Sequence, residues 1–306
     1  MNDRERIRIF IGSGEASLLE RKVAIYSLRK HTRKELDIYV FNGTHNAVEL
    51  NDRQPFIAPL SLELKYHNVT EFSLYRYLIP QLCNYQGKAI YIDSDIICLT
   101  DISELFDLPL NGCDFLAKPN AYSHVGTNLW ALSVMLIDCA KSRFELETIY
   151  REIAQKLYTQ KDFACMSPSF LAHHPYKIGK LDPCWNVLDY VDRHTKLIHY
   201  TNLHTQPWKH PHHPYGKLWF TYFTEAIAAG YITQKDIDLS LARSYVRRNI
   251  MKGNSPSLLR LDYIKKYIGI AKKSVKKLYQ PKLEAIRTPQ SKFLEESAVE
   301  KSTISR

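Results

Sequence analysis

Apolar positions along the chain recur at two spacings in turn, every second residue and then every third or fourth. Ile7–Gly12 (IRIFIG) is a β-rich run that ends at a glycine, which predicts a strand. From about Glu15 to His31, Leu18, Leu19, Val23, Ile25 and Leu28 follow helical spacing. Asp37–Phe41 (DIYVF) predicts a second strand, closed by Asn42-Gly43, and Ser61–His67 a third. Phe72–Leu82 places Leu74, Leu78, Ile79 and Leu82 at helix-like intervals, and Lys88–Ile92 (KAIYI) is a strand that runs straight into Asp93-Ser94-Asp95. Further strands are expected at Asp114–Lys118, Leu129–Ile137 and Lys196–Tyr200, with a helix over Ser142–Tyr158. Strands alternating with helices shorter than about 20 residues argue for an α/β sheet of largely parallel character. In open sheets of this kind ligands collect beyond the carboxyl ends of the strands, where both Gly12-Ser13-Gly14 and Asp93-Ser94-Asp95 fall.

The pattern changes near Leu259. Leu261, Ile264, Ile268, Ala271, Val275 and Leu278 form one apolar stripe, flanked by Lys265, Lys266, Lys272, Lys273, Lys276 and Lys277. Residues 259–279 are thus expected to form an amphipathic basic helix suited to an anionic membrane interface. Packing on the body with a solvated lysine face, or binding a protein or nucleic acid, are the competing readings. Charge supports the division. Residues 240–306 carry 16 Lys and Arg against 5 Asp and Glu, so the chain's +10 leaves the other 239 residues at −1. A nucleic-acid enzyme more often spreads basic residues over its body, so no nucleic-acid partner is expected. The expected organisation is a catalytic domain over 1–239 and a basic helical tail over 240–306, partly disordered beyond Pro281.

Composition narrows the class. With 306 residues, 45% hydrophobic and 24% charged, the chain is long and apolar enough for a sizeable core. The longest nearly uninterrupted apolar run, Leu129–Ile137 with Ser133 inside it, is about half of the roughly 20 residues a spanning helix needs. Asp3, Arg4, Glu5 and Arg6 lead directly into Ile7–Ile11, a pattern unlike a secretory leader. The six cysteines are scattered with no C-x-x-C, which signals neither zinc nor a disulfide framework. A cytoplasmic protein, peripheral on the inner face of the membrane, is the expectation.

Two aspartates at i and i+2 at a strand end point to one side of the sheet, and their repulsion invites a hard divalent cation. The bare pattern is weak, since chance alone places about one Asp-x-Asp in such a chain. Asp236-Ile237-Asp238 provides a contrast: it follows Thr233, where acids in a first helical turn are explained by capping and the macrodipole. Asp93 and Asp95 instead close a hydrophobic strand.

Ser73-Leu-Tyr-Arg76-Tyr-Leu-Ile-Pro80-Gln-Leu82, then Lys88 to Ile97 around the aspartates, then Asp101-Ile-Ser-Glu-Leu-Phe106 together resemble the family 8 glycosyltransferases. Those enzymes share an Arg-x-x-x-Pro-x-Leu helix, a Tyr-Leu-Asp-x-Asp strand end and an Asp-Leu-x-x-Leu-Trp segment. The resemblance covers residues 7 to about 210 and implies a GT-A (Rossmann-like) fold, a mixed, largely parallel sheet flanked by helices. It further implies transfer of a hexose from a nucleotide-diphosphate sugar, usually a UDP-sugar, with Mn²⁺ or Mg²⁺ and retention of configuration. Asp93 and Asp95 would be metal and diphosphate ligands, Arg76 a donor-site cation, and Ile11, Gly12, Ser13 and Ser94 would lie beside the nucleotide. A glycan or lipid-linked acceptor at a membrane surface would suit the basic tail.

The family's late motif resembles His-x-x-Gly-x-x-Lys-Pro-Trp, and His199 to Lys209 (HYTNLHTQPWK) is similar to it. His199 ends a strand and would complete the metal site, with His204 as the alternative. Gln206 stands where the family has lysine, Trp208 matches, and Lys209 or a nearby histidine is left to supply a cation. His173-His174 and His210, His212 and His213 read as polar loops about the active-site mouth. Trp208 and Trp219 are either core residues or, for Trp208, a platform for a sugar face. Leu181, Trp185 and Asn186 fit a further segment, but Ala164–Phe170 lacks the family's donor-sugar acid. That gap, with Gln206, leaves a weak or inactive nucleotide-sugar binder as an alternative. The basic tail leaves a non-enzymatic membrane-surface protein as another, and a metal-dependent phosphohydrolase fits the late motif less well.

Overall fold

The computed structural model describes residues 6–45, 47–50, 72–119 and 129–253. Its strands are β1 (Ile7–Ser13), β2 (Leu36–Asn42), β3 (Ala47–Leu50), β4 (Lys88–Asp93), β5 (Ile96–Cys98), β6 (Phe115–Pro119), β7 (Trp130–Asp138), β8 (Ile178–Lys180), β9 (Val187–Leu188) and β10 (Leu197–His199). Its helices are α1 (Leu18–His31), α2 (Ile79–Leu82), α3 (Ser103–Phe106), α4 (Leu146–Ala154), α5 (Gln160–Ala164), α6 (Pro168–Leu171), α7 (Gly216–Ala228) and α8 (Gln234–Ala242).

Seven strands form the main sheet in the order β3-β2-β1-β4-β7-β6-β8. The pairs β1–β2, β1–β4 and β6–β8 are parallel, and only β3 and β7 run against the other five. A small second sheet has the order β5-β10-β9. The main sheet is buried on both faces because its strands are apolar at odd and even positions alike. Ile7, Ile9, Ile11, Ile90 and Ile92 enter the cluster that includes Ile25 and Leu28 of α1. Phe10, Ala89 and Tyr91 enter the opposite cluster, with Leu146 and Ile149 of α4, Phe163 of α5 and Phe170 of α6. A third cluster packs Leu19 and Val23 of α1 against Tyr200, Trp208, Trp219 and Phe223.

The alternating strand and helix expectations hold for β1, α1, β2, β4, β6, β7, α4 and β10 within a few residues. Phe72–Leu82 differs: it is a 3-10 turn over Tyr75–Leu78 followed by the short α2. Pro80 has no N–H to offer the carbonyl of Arg76, so one continuous helix cannot form there. Asp236 does cap α8, exchanging hydrogen bonds with Thr233, and its carboxylate also meets Lys22 of α1 at 2.7 Å. Packing continues beyond residue 239, where Ser240, Val246 and Ile250 are buried. Residues 1–254 and 255–306 are separate units. The strand expected at 61–67 and the basic helix at 259–279 lie outside the described residues. Among the described residues no helix is long and apolar enough to cross a membrane.

Candidate functional site

Asp93 is the last residue of β4, and Asp95 lies not on the strand but in the tight turn between β4 and β5. That turn carries the chain from the main sheet to the second one. It is held by Ser94 N–H donating to Gly12 O (3.0 Å), at the end of β1 where Gly12 is in register with Asp93. Gly12 is required there, because a Cβ would overlap Tyr91 Oη and come within 2.6 Å of Phe72. On the far side of the turn, β10 pairs antiparallel with β5 so that His199 is opposite Ile96, and Tyr200 N–H donates to Asp95 O (3.0 Å). Two sheets meeting at one turn thus bring His199 to both aspartates, about a hundred residues away in the chain.

One ligand atom each from Asp93, Asp95 and His199 lies within 4.8 Å of the other two. His199 Nε2 is 2.8 Å from Asp95 Oδ1 and 4.0 Å from Asp93 Oδ2. Its other nitrogen, Nδ1, is 3.1 Å from Asn186 Oδ1, while Asn186 Nδ2 donates to Ser133 Oγ (2.9 Å). Because the amide nitrogen is committed to Ser133, Oδ1 accepts from Nδ1–H, and Nε2 is the nitrogen that faces the aspartates. Asp95 Oδ1 is buried, and the ring of His199 is the group that meets it. Two carboxylates and an imidazole nitrogen held this close together are a donor set that fits a divalent cation.

The electrostatics reflect the crowding. Burial pushes the Asp93 carboxyl above its ordinary value, against the pull of Arg76 and His199. Burial works against an imidazolium at His199, yet Asp95 and Asp93 outweigh it and hold the ring above its usual value. Tyr91 Oη donates to Asp93 Oδ1 (2.6 Å), and Arg76 Nη2 approaches the same oxygen at 3.6 Å. The remaining Arg76 donors go to Ser73 O (2.8 Å) and Leu132 O (2.5 Å), and its guanidinium covers the Tyr91 ring. Arg76 therefore acts as counterion and brace for Asp93.

A cavity of about 310 Å³ opens beside the cluster. Arg76, Asp93 and His199 line one side, and Tyr77, Trp130, Leu132 and Phe163 contribute an apolar wall. Gln160, the first residue of α5, also reaches it. Gln160 lies outside 164–170, the stretch where the resemblance places a donor-sugar carboxylate, and it is not itself an acid. The signal was one helix earlier, in Thr159-x-x-Asp162, a capping box that fixes where α5 starts. Asp162 itself is spent on Thr159 and Ser167.

Other expected site residues are placed differently. Ile11, Ser13 and Ser94 are buried at the strand ends around Gly12, close to the aspartates. Gln206 is buried and donates to Tyr200 O (3.0 Å), pinning the loop after β10. Trp208 is corrected from sugar platform to core: it is 1% exposed and packed against Tyr200 and Trp219. His204 is exposed and stands outside the cluster, while Lys209 is exposed in the same loop. His213 is no rim residue, being fully buried with Nε2 3.5 Å from Asp189. His174 pairs with Glu152 (2.6 Å) and ties α6 to α4.

The sequence profile of the family described as glycosyl transferase family 8 matches residues 8–212. A probable galacturonosyltransferase 12 of Arabidopsis thaliana is 21% identical over 237 residues, covering 65% of this chain and 43% of its own length. Protein CDI of the same plant is 54% identical over 39 residues, 13% of this chain and 15% of that protein. The chain thus spans less than half the length of the curated relatives it matches. The galactosyltransferase LgtC, solved with donor and acceptor sugar analogs, superposes with a TM-score of 0.53 at 14% identity over 76% of this chain and all of LgtC. The glycosyltransferase GlyE of Streptococcus pneumoniae TIGR4 gives 0.52 at 16% identity, over 74% of this chain and 63% of GlyE. The shared architecture is the GT-A fold, as the motifs implied.

Proposed function

Because the chain belongs to glycosyl transferase family 8, we propose that it transfers a hexose from a nucleotide-diphosphate sugar, a UDP-sugar, to a glycan or lipid-linked acceptor with retention of configuration. The observation that carries this reading is the convergence of Asp93, Asp95 and His199 at the mouth of the cavity, with one ligand atom of each within 4.8 Å of the others. These three residues would hold Mn²⁺ or Mg²⁺, hard enough for carboxylates and accepting of imidazole in the case of Mn²⁺. When bound, such a cation offsets the negative charge that develops on a departing nucleoside diphosphate. Arg76 and Tyr91 keep Asp93 in place, and Asn186 keeps His199 in the tautomer that offers Nε2. The cavity beside them is sized for a sugar ring, with an apolar wall to exclude water and Gln160 to hydrogen-bond a hydroxyl.

Ile11, Gly12, Ser13 and Ser94 form the strand-end floor on which the nucleotide rests, and Lys209 of the loop after β10 is a second cation for the diphosphate beside Arg76. Gln206 supports the site from below, through the loop backbone. Attachment to an anionic membrane surface through residues 259–279 rests on the apolar stripe and its lysine flanks, and it would concentrate a lipid-linked acceptor at the inner face of the membrane.

The test is a thermal-shift panel of UDP, GDP and ADP and their sugars, with and without Mn²⁺. Stabilisation grows with ligand concentration over Kd, so the expected result is a shift for UDP compounds that needs metal. Equal shifts for all nucleotides, or none, would end this reading. A nucleotide-sugar binder without turnover is favoured by Gln206 at the family's lysine position. Metal-dependent hydrolysis of the same UDP-sugar, however slow, decides between the two.

A further inference from the structure

The loop after β10 gives the cavity wall a hydroxyl whose hydrogen is already taken. Thr201 lines the cavity together with Asp93 and His199, and its Oγ1 donates to Asp189 Oδ2 at 2.6 Å. Both residues are anchored on the same carbonyl, since the N–H groups of Asp189 (2.9 Å) and Thr201 (3.1 Å) donate to His199 O. The Thr201 hydroxyl is therefore fixed relative to the metal-ligand cluster.

Asp189 can only accept. Its Oδ1 takes the Asn202 N–H (3.2 Å) and lies 3.5 Å from Nε2 of the fully buried His213. Tyr215 N–H donates to His213 Nδ1 (3.0 Å), which leaves the ring hydrogen on Nε2, facing Asp189. Burial works against a charge on Asp189, but His213, Thr201 and the Asn202 N–H outweigh it and hold the carboxyl below its ordinary value. Asp189 is thus a carboxylate ringed by donors, with no hydrogen to return to Thr201. Its backbone is left-handed (φ 54°), a conformation that glycine adopts more readily, so a carboxylate is held here at some cost in backbone strain. A hydroxyl has one hydrogen and two lone pairs. With the hydrogen spent on Asp189, Thr201 Oγ1 has only lone pairs left to offer a ligand.

We propose that Thr201 is a specificity-determining residue for the donor sugar: its Oγ1 accepts a hydrogen bond from one sugar hydroxyl, and Asp189 is the positioning residue that keeps Thr201 an acceptor. This inference rests on the nucleotide-sugar reading of the site and adds the chemistry that this wall of the cavity demands. A group with no hydrogen to give, such as a fluorine, meets Oγ1 lone pair to lone pair, so a sugar that carries it in place of that hydroxyl loses affinity. The contact is with the sugar and leaves the uridine and the diphosphate untouched.

The experiment uses the full chain at saturating Mn²⁺ and measures the ligand concentration for half-maximal thermal protection. The ligands are UDP-glucose, UDP-galactose and their monodeoxyfluoro analogues, each with a single hydroxyl replaced by fluorine, and UDP is the control that lacks a sugar. In the wild type, fluorination at one position should raise the required concentration about tenfold over the parent sugar. In Thr201→Val, which keeps the shape and loses the oxygen, that analogue and its parent should protect equally, and Thr201→Ser should restore the difference. In Asp189→Asn the Asn202 N–H and His213 Nε2 claim the amide oxygen, so the amide nitrogen faces Thr201 and turns its hydrogen toward the cavity. The difference should shrink there too, while UDP protects every variant alike. A merely structural Thr201 or Asp189 would move the melting temperature of the ligand-free chain and leave the difference between analogue and parent as in the wild type. Equal protection by all analogues in the wild type, or unchanged discrimination in Thr201→Val, overturns the proposal. Should Thr201→Val fail to fold, Thr201→Ala and Asp189→Asn carry the same comparison with the same outcomes. Absence of UDP protection in the wild-type chain would remove the nucleotide-sugar reading itself, a result distinct from UDP protection without discrimination among the sugars.

Discussion

Asp95 Oδ1, a buried atom, lies 2.8 Å from His199 Nε2. Two electron-rich atoms at that distance are stable only with a proton or a cation between them. Asp95→Asn keeps the shape of the turn and removes the charge. At a UDP and Mn²⁺ concentration of 100 times Kd the wild-type chain should gain about 2.7 kcal/mol of stability. The variant should lose most of that gain while its metal-free melting temperature changes little. Full metal-dependent protection in Asp95→Asn would remove the metal centre from this turn.

His199 makes the same site sensitive to pH. A metal binds the unprotonated Nε2, so metal and proton compete. The ring's value is raised by Asp95 and Asp93 over the opposing effect of burial, so the proton is held better than in free histidine. Mn²⁺ affinity should therefore fall about tenfold for each pH unit below the His199 value. Metal-free stability should run the other way. A raised folded-state pKa contributes stability that is full below the unfolded value and is lost as pH rises through the folded one. Mn²⁺ titrations at pH 6 and pH 8 check the first statement, and a pH-independent affinity would contradict it.

Asn186 is fully buried and joins His199 Nδ1 to Ser133 Oγ. Its backbone oxygen separately accepts from Lys118 Nζ (2.7 Å), a bond that a side-chain substitution leaves intact. Asn186→Ala should thus free the imidazole to rotate and change tautomer without dismantling the strand ends. The expected loss is about 10–100-fold in Mn²⁺ affinity. Unaltered Mn²⁺ binding would show that His199 is oriented by β10 alone.

Much of this site was legible in the sequence, and the reason is local. β1 and β4 are short apolar runs ending in Gly12 and Asp93, so the carboxyl ends of two parallel neighbours could be read directly. Asp236 could be separated from Asp93 because Thr233 announces a helix start. The hidden parts depend on long-range pairing. The expectation that one strand carries both aspartates fails because the chain changes sheets at Ser94, which only the β5–β10 pairing reveals. Gln206 and Trp208 occupy ligand-binding positions in the motif but are buried, since Tyr200 and Trp219 close over the loop. Glu20, the third residue of α1, reads as an ordinary first-turn acid, yet it is 4% exposed.

The burial of Glu20 has a consequence for stability. Burial pushes its carboxyl up from 4.5 to about 8, with only partial relief from its own backbone N–H and from Lys209. The folded chain therefore keeps this proton where the unfolded chain has lost it. Stability from the protonated form is complete below pH 4.5 and is lost as pH rises toward 8, a contribution on the order of 4 kcal/mol for a fully buried group. Glu20→Gln cannot ionise. Its unfolding free energy should be flatter than that of the wild type between pH 5 and pH 8, and higher above pH 8. Parallel stability curves for the two proteins, measured by urea unfolding with chelator present, would show that the carboxyl is not buried in solution.

Gly12 ties the fold to the site, and it can be tested through its neighbour. Tyr91 is fully buried, and its hydroxyl reaches Asp93 Oδ1 only because the facing residue of β1 has no side chain. Gly12→Ala inserts a methyl into that hydroxyl and against Phe72, so the ring must move and release Asp93. Overpacking of this kind typically destabilises by about 1–3 kcal/mol. Adding Tyr91→Phe deletes the oxygen that clashes, so the double variant should recover part of the lost stability. It should not recover metal-dependent UDP protection, because Asp93 has lost its brace in either case. Urea unfolding separates the first effect and thermal protection the second. If Gly12→Ala proved as stable as the wild type, or if the double variant regained protection, then the hydroxyl of Tyr91 would have no part in holding Asp93.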